Sequence, residues 1–410
     1  MSLYRCAPIL AALAACGRVG FTAGELEPPA DGTVPVDAVR DASVADSAVA
    51  DAPASDSAPG PSGDLVELAL GASHTCARRA SGSVLCWGAN WAGQLGDGTT
   101  ASRPLAGPVP GLDDAVQIAA GEQHTCAVRA TGVAVCWGAN DIGMLGDGTT
   151  TTRLVPTPVS GLNDAVEIAT APQADHTCAR RTTGQIACWG SNGYGELGTG
   201  GAAGSLVPVN VAGLVDAVAV AVGRVHSCAV RAGGGVACWG RELREMPVTV
   251  STTPVPVTGI SDATAAIGTG ELHACVRRAS GAVACWGSNQ YGQLGDGTMV
   301  EHLQPEDTAV WPTPDAFGVA YLHTCAVVGG FVRCVGFNSS GQLGDGTTVH
   351  DATPDDVIGV SEAVAVAGAK FHSCALARAG GAWCWGQNSA GQLGDGTTTN
   401  RLTAVTVALP

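Results

Sequence analysis

The chain has 410 residues, 46% hydrophobic but only 4% aromatic, with 58 glycines. Such a composition supplies a sizeable core and suits many short strands joined by tight turns, not long amphipathic helices. A formal net charge of -16 repels nucleic-acid phosphates and anionic lipid headgroups, which excludes both as partners of the folded surface. Sixteen cysteines, all but Cys6 and Cys16 in evenly spaced pairs, point to an oxidising compartment.

The chain begins with a positive charge at Arg5 and a short apolar run, Ala7 to Ala15, too short to span a bilayer. The run ends in Leu13-Ala14-Ala15-Cys16-Gly17, which resembles the lipobox of bacterial lipoproteins, where cleavage precedes a cysteine that is then acylated. The resemblance implies a signal peptide over residues 1–15, lipidation at Cys16 and, through Gly17, export to the outer membrane of a two-membrane bacterium. Acyl chains contribute about 0.8 kcal/mol per buried methylene, so they anchor a protein without a transmembrane helix. Residues 16–63 are rich in Ala, Asp, Pro, Ser and Val, and Asp41, Asp46, Asp51 and Asp56 recur every five positions. That spacing fits neither helix nor strand, so this segment reads as a disordered, self-repelling tether. A flexible chain of that length reaches about 35 to 40 Å.

From residue 64 onward one unit repeats seven times, with first cysteines at Cys76, Cys126, Cys178, Cys228, Cys275, Cys325 and Cys374. A period of roughly fifty residues signals a propeller or solenoid. The repeats fall near 64–113, 114–163, 164–215, 216–261, 262–314, 315–361 and 362–410. Each opens with an acidic residue and a short apolar strand A, as in Asp114-Ala-Val. His-x-Cys follows as strand B, Cys-Trp-Gly as strand C, then a glycine-rich loop and a Pro/Val-rich strand D such as Val155 to Val159. Four short strands per repeat predict a propeller blade.

The B–C hairpin fixes its own register. Six copies place a glycine six positions after the first cysteine (Gly82, Gly132, Gly184, Gly234, Gly281, Gly380), the left-handed position of a three-residue turn that sets the two cysteines opposite each other. The sixth copy is one residue shorter, and its two-residue Gly329-Gly330 turn restores the same opposition. Non-hydrogen-bonded antiparallel partners approach to about 4.5 Å between α carbons, within disulfide range. The expected bridges are Cys76–Cys86, Cys126–Cys136, Cys178–Cys188, Cys228–Cys238, Cys275–Cys285, Cys325–Cys334 and Cys374–Cys384, each worth at most about 2.5 to 3 kcal/mol in the chain-entropy account. The same register puts Trp87 opposite Thr75 on one face, with His74, Cys76, Cys86 and Gly88 on the other. The tryptophan face of one blade is then expected to meet the disulfide face of the next. Copy six carries Val335 in place of tryptophan, which predicts an underfilled, weak joint there.

The strings His-Thr-x-Ala, x-Trp-Gly-x-Asn and Gly-Gln-Leu-Gly-x-Gly resemble the repeat of the regulator of chromosome condensation propeller family. The full asparagine to Gly-x-Leu-Gly-Asp-Gly-Thr string occurs at residues 90–99, 140–149, 289–298, 338–347 and 388–397. Copy three keeps Gly195 to Gly200, and copy four replaces the string with Arg241 to Met246. The resemblance implies an all-β, seven-bladed propeller over residues 64–410. Nuclear members exchange guanine nucleotides on a small GTPase, an activity that a signal peptide, disulfides and an acidic surface argue against here.

Repetition also separates framework from function. His74, His124, His176, His226, His273, His323 and His372 invite a metal reading, but each faces a glycine across the hairpin and oxidised cysteines are not ligands, so a structural role is expected. Asp97, Asp147, Asp296, Asp345 and Asp395 lack neighbouring carboxylates for calcium and read as turn-bonding aspartates. Neither a metal nor a cofactor is expected. Function is expected where the copies differ, on the disc face that carries the A–B and C–D connections: Trp91, Glu122, Tyr194, Arg224, Arg241, Tyr291, Tyr321, Lys370 and Phe371. Mixed charge with aromatics suits recognition of a protein or glycan, and bacterial members of the family often bind proteins through such loops, as the resemblance implies. The expected molecule is a monomeric binding module on the cell envelope, held to the membrane only through the lipid. The alternative is a hydrolase or lyase with a site in the central channel, for which the sequence shows no catalytic constellation. Closure of the ring stays open between a blade boundary and a shared blade.

Overall fold

The computed structural model describes residues 63–244, 247–308, 310–311 and 313–410. The expected signal peptide, Cys16 and the tether lie outside the described residues. All the regular structure in the described part is β-strand, in seven four-stranded antiparallel sheets of consecutive strands. Blade 1 consists of β1 (Leu65–Leu70), β2 (His74–Arg79), β3 (Val84–Gly88) and β4 (Arg103–Pro108), which are strands A to D. The other six blades repeat that order, and the first strands of all seven surround an axial channel of about 260 Å³. The molecule is a seven-bladed propeller.

Hairpin register follows the turn chemistry. Cys76 pairs with Cys86, Thr75 with Trp87 and His74 with Gly88, and the other blades keep the same alignment. In blade 6 Gly329 and Gly330 adopt φ of 60° and 85°, the double left-handed turn that a two-residue hairpin requires. Cys325 there still opposes Cys334. All seven disulfides are present, with α carbons 4.0 to 4.1 Å apart, and all lie inside the blades.

Blade-to-blade packing repeats as well. The Cys76 and Cys86 side of blade 1 packs on Trp137, Ala127 and Val135 of blade 2. The Trp137 indole is fully buried and donates from Nε1 to the Gln94 carbonyl at 2.9 Å. A tryptophan that buries on the order of 200 Å² contributes about 5 kcal/mol before entropy is subtracted. Gly96 lets the loop lie on this ring, because a methyl at Gly96 would come within 2.6 Å of Trp137 Nε1.

The repeated histidines form a second seam. His74 Nε2 lies 2.9 Å from the Thr125 hydroxyl of the next blade, and Thr125 Oγ1 in turn donates to the Gln94 carbonyl at 2.8 Å. A hydroxyl has one proton, so the histidine must donate from Nε2. The same two-step bridge joins His124 to Thr177, His176 to Ser227, His273 to Thr324, His323 to Ser373 and His372 to Thr75. The last of these closes the ring. Together with Leu65 N donating to Gly380 O at 2.8 Å and Trp87 Nε1 to Gln392 O at 2.9 Å, it places closure at the boundary between blades 7 and 1.

The void expected beside Val335 does not exist. Trp311, from the connection between blades 5 and 6, is 3% exposed and packs with Val335 and Ala326. A methyl at Gly295 would meet Trp311 Cζ2 at 2.7 Å, so this indole occupies the place that a strand-C tryptophan fills elsewhere. The joint is filled from a different part of the chain. What it loses is a hydrogen bond, since among the described residues Trp311 Nε1 has no partner.

Candidate functional site

On one face of the disc the A–B connections of neighbouring blades are linked loop to loop. Arg224 N donates to Gly270 O at 3.3 Å, Glu271 N to Tyr321 O at 2.9 Å and Tyr321 N to Ala369 O at 3.3 Å, which ties the first connections of blades 4 to 7 into one rim. Side chains continue it. Arg224 Nη1 bonds Glu271 Oε1 at 2.5 Å, and burial, with Glu271 as hydrogen-bond partner, pushes the Tyr321 phenol far above its usual range. Lys370, the single lysine of the chain, holds Nζ 5.6 Å from the Tyr321 ring centroid and 5.3 Å from that of Phe371.

An aromatic cluster adjoins these cations. Tyr291 meets Phe337 edge-on at 5.0 Å, Phe337 stacks on His350 at 4.6 Å and lies 6.3 Å from Phe371. All four rings are half-buried, neither hidden in the core nor free in water. Five of the nine sequence-predicted residues, Arg224, Tyr291, Tyr321, Lys370 and Phe371, therefore come together here. Glu122 sits on an acidic flank with Asp141 and Asp175. Burial chiefly, and then the charges of Glu122 and Asp141, raise the Asp175 carboxyl above its ordinary value, while Arg224 opposes the rise. Trp91 and Tyr194 are 63% and 43% exposed, but among the described residues no aromatic contact joins either to the cluster. Arg241 instead lines a cavity between blades 4 and 5.

Phe337 and His350 escape the sequence reading. Phe337 follows the Cys334-Val-Gly336 strand at a position held by Ala89, Ala139, Ser191, Arg241, Ser288 or Gln387 in the other copies. The rule that function lies where copies differ could have found it. His350 hides a regular task, because its Nδ1 accepts from Asn338 N at 2.9 Å, as Ser102 and Asn400 accept from Asn90 and Asn388.

The loop aspartates cap their own turns. Asp97 Oδ1 accepts from Thr99 N at 2.9 Å and from its hydroxyl at 2.7 Å, and Arg103 lies 3.2 Å from Oδ2. Burial works against the Asp97 charge, but these partners outweigh it and hold the carboxyl below its usual value. Among the described residues no three His, Cys, Asp or Glu side chains are grouped to hold a metal ion. In the axial channel Glu167 is paired with Arg180 at 2.8 Å and receives Val220 N, so it works as a bridge between inner strands.

Sequence profiles of the regulator of chromosome condensation (RCC1) repeat match residues 81–128, 183–230 and 330–376, and a second profile of the same repeat matches 66–94, 115–142, 265–293 and 363–392. The chain belongs to the regulator of chromosome condensation repeat family. No curated protein matches the sequence at a significant level. Solved structures share the fold. Prp20p from Saccharomyces cerevisiae superposes with a TM-score of 0.66 at 19% identity, over 75% of this chain and 80% of that one. The same yeast protein bound to Kap60 gives 0.67 at 18%, over 87% and 90%. Human WBSCR16 gives 0.66 at 20%, over 75% and 84%. At these identities the likeness establishes the propeller of the repeat family and nothing finer.

Proposed function

We propose that this propeller is a protein-binding module held outside the cytoplasm, tethered to the envelope membrane through lipidated Cys16, and that it docks its partner on the rim formed by blades 4 to 7. The observation that carries the reading is the half-buried cluster of Tyr291, Phe337 and Phe371 beside Lys370 and Arg224. Aromatic and guanidinium groups at the centre of a patch, bordered by polar residues, are what protein interfaces concentrate their binding energy in. Seven disulfides, one inside each blade, suit an oxidising, extracytoplasmic compartment. Propellers of this family bind proteins, as Prp20p binds Gsp1p and histones and is found in complex with Kap60. Among the described residues no ring contact joins Trp91, Tyr194 and Tyr291, so these aromatics form no shared stacking surface for a sugar, which favours a protein over a glycan. The reading is of recognition, not turnover.

The test places a photo-crosslinking residue at exposed Gln290 on this rim, or at Val215 on the opposite face, in the full-length protein in its native envelope. A defined crosslinked partner is expected from position 290 and none from 215. Alanine at Tyr291, Phe337 and Phe371 together should remove that crosslink, whereas Trp91→Ala should leave it. Equal crosslinking from both faces, or indifference to the triple substitution, overturns the assignment.

A further inference from the structure

The rim carries one charge that the fold leaves unanswered. Among the described residues the Lys370 ammonium has neither an ion pair nor a hydrogen bond, and its neighbours are the rings of Tyr321 and Phe371, 5.6 and 5.3 Å from Nζ to the centroids. Ring faces attract a cation but do not neutralise it. The rim's Arg224 differs, because its Nη1 bonds Glu271 Oε1 at 2.5 Å.

From Lys370 the rings form a chain. Phe371 lies 6.3 Å from Phe337, Phe337 stacks on His350 at 4.6 Å, and Tyr291 stands 5.0 Å from both. All are half-buried, so each still offers apolar surface. A protein that settles on these rings also covers the ammonium. Covering an unpaired charge costs free energy unless the incoming surface brings its counter-charge, and a carboxylate on an ammonium makes a short, charge-assisted hydrogen bond. The opposite flank sets the direction. There Glu122 and Asp141 act on Asp175 as like charges, so an incoming carboxylate is repelled from blades 2 and 3 and drawn to blades 6 and 7.

We propose that the rim selects a protein segment that carries a carboxylate next to an aromatic side chain, the carboxylate pairing with Lys370 Nζ and the ring resting on Phe371 and Phe337. The inference rests on the rim being the docking face and adds the chemistry of what docks there.

Lys370 is the single lysine of the chain, so reductive methylation with isotope-labelled formaldehyde, which keeps the charge, gives the full chain one lysine reporter for NMR. N-acetylphenylalanine, its carboxamide and acetate are titrated against that resonance. The first should shift it saturably. The carboxamide, which lacks the charge, and acetate, which lacks the ring, should bind at least about tenfold more weakly, a difference of about 1.4 kcal/mol. Alanine at Phe337 and Phe371 together should bring N-acetylphenylalanine down to the acetate level. The native partner is read through the crosslink from position 290. Lys370→Glu should reduce that crosslink at least about tenfold and Lys370→Arg should keep it, both with the parent's melting temperature, since the ammonium forms no ion pair within the fold. A crosslink lost in the triple alanine chain but kept in Lys370→Glu overturns the carboxylate and leaves the docking face standing; indifference to both sets of substitutions overturns the two together. No saturable shift with N-acetylphenylalanine, or an equal one with its carboxamide, also overturns the proposal.

Discussion

Acidification should unfold this propeller from inside its seams. The seven repeated histidines are fully buried and held neutral: burial lowers His74, His176, His226, His273, His323 and His372 to about 3 and His124 to about 4, from an ordinary 6.5. The folded pKa lies below the unfolded one, so between these values the unfolded chain binds more protons. Their contribution is complete above pH 6.5 and is lost as pH falls from there toward 3. At pH 5 each imidazole withdraws about 2 kcal/mol, and seven together about 14 kcal/mol as a ceiling, comparable to the whole stability of a typical domain at about 5 to 15 kcal/mol. Glu67, Glu167, Asp175 and Glu196, raised chiefly by burial, act in the opposite sense as they protonate in the fold. Asp97, Asp147, Asp296 and Asp395 are lowered and add to the loss only at more acid pH, below the ordinary aspartate value. The histidines therefore dominate between pH 6.5 and 5. Urea unfolding followed by tryptophan fluorescence at steps across that range should show a midpoint that falls with each step, with uptake of several protons per chain on unfolding. A midpoint constant from pH 7.5 to 5, or unfolding with uptake of fewer than about two protons, refutes the reasoning.

Two substitutions test the seams directly. Trp311→Val should recreate the void that the sequence predicts beside Val335 and cost about 3 kcal/mol in a urea titration, because the indole fills the space between Val335 and Ala326. A loss under about 1 kcal/mol would mean that blade 6 collapses onto the gap. Gly138→Ala should cost more than about 2 kcal/mol, since its φ is +106° and a methyl there would meet the Gln123 carbonyl at 2.4 Å and His124 Cα at 2.7 Å. A melting temperature equal to the parent's would show that the hairpin can open by a small backbone shift.

The fold was legible because its information is local and repeated. A cysteine spacing, a turn glycine and a tryptophan position each fix a register that can be counted along the chain, and blade 6 kept that register after losing a residue by changing its turn. What could not be counted was not found. Trp311 lies in a connection of irregular length, where no hairpin register says which way its side chain points, so its arrival beside Val335 is a tertiary event. The binding face shows the same division: Tyr291, Tyr321, Lys370 and Phe371 were legible as loop positions, but their meeting depends on the order of blades round the ring. Phe337 was hidden by its place at the end of a strand that otherwise reads as framework.

Copy three departs from the repeat in its glycine-rich loop, at Thr199, and the larger departures lie together. Ala274 in place of the hydroxyl residue that bridges the other seams, the altered loop from Arg241, Val335 with its substitute Trp311, and the ring cluster of Tyr291, Phe337 and Phe371 all fall in blades 4 to 7, while blades 1 and 2 keep the full pattern. A closed ring explains how this is tolerated. Each blade is clamped by its own disulfide and gripped on two sides, so losing one hydroxyl bridge opens no free edge and the remaining bridges hold the geometry.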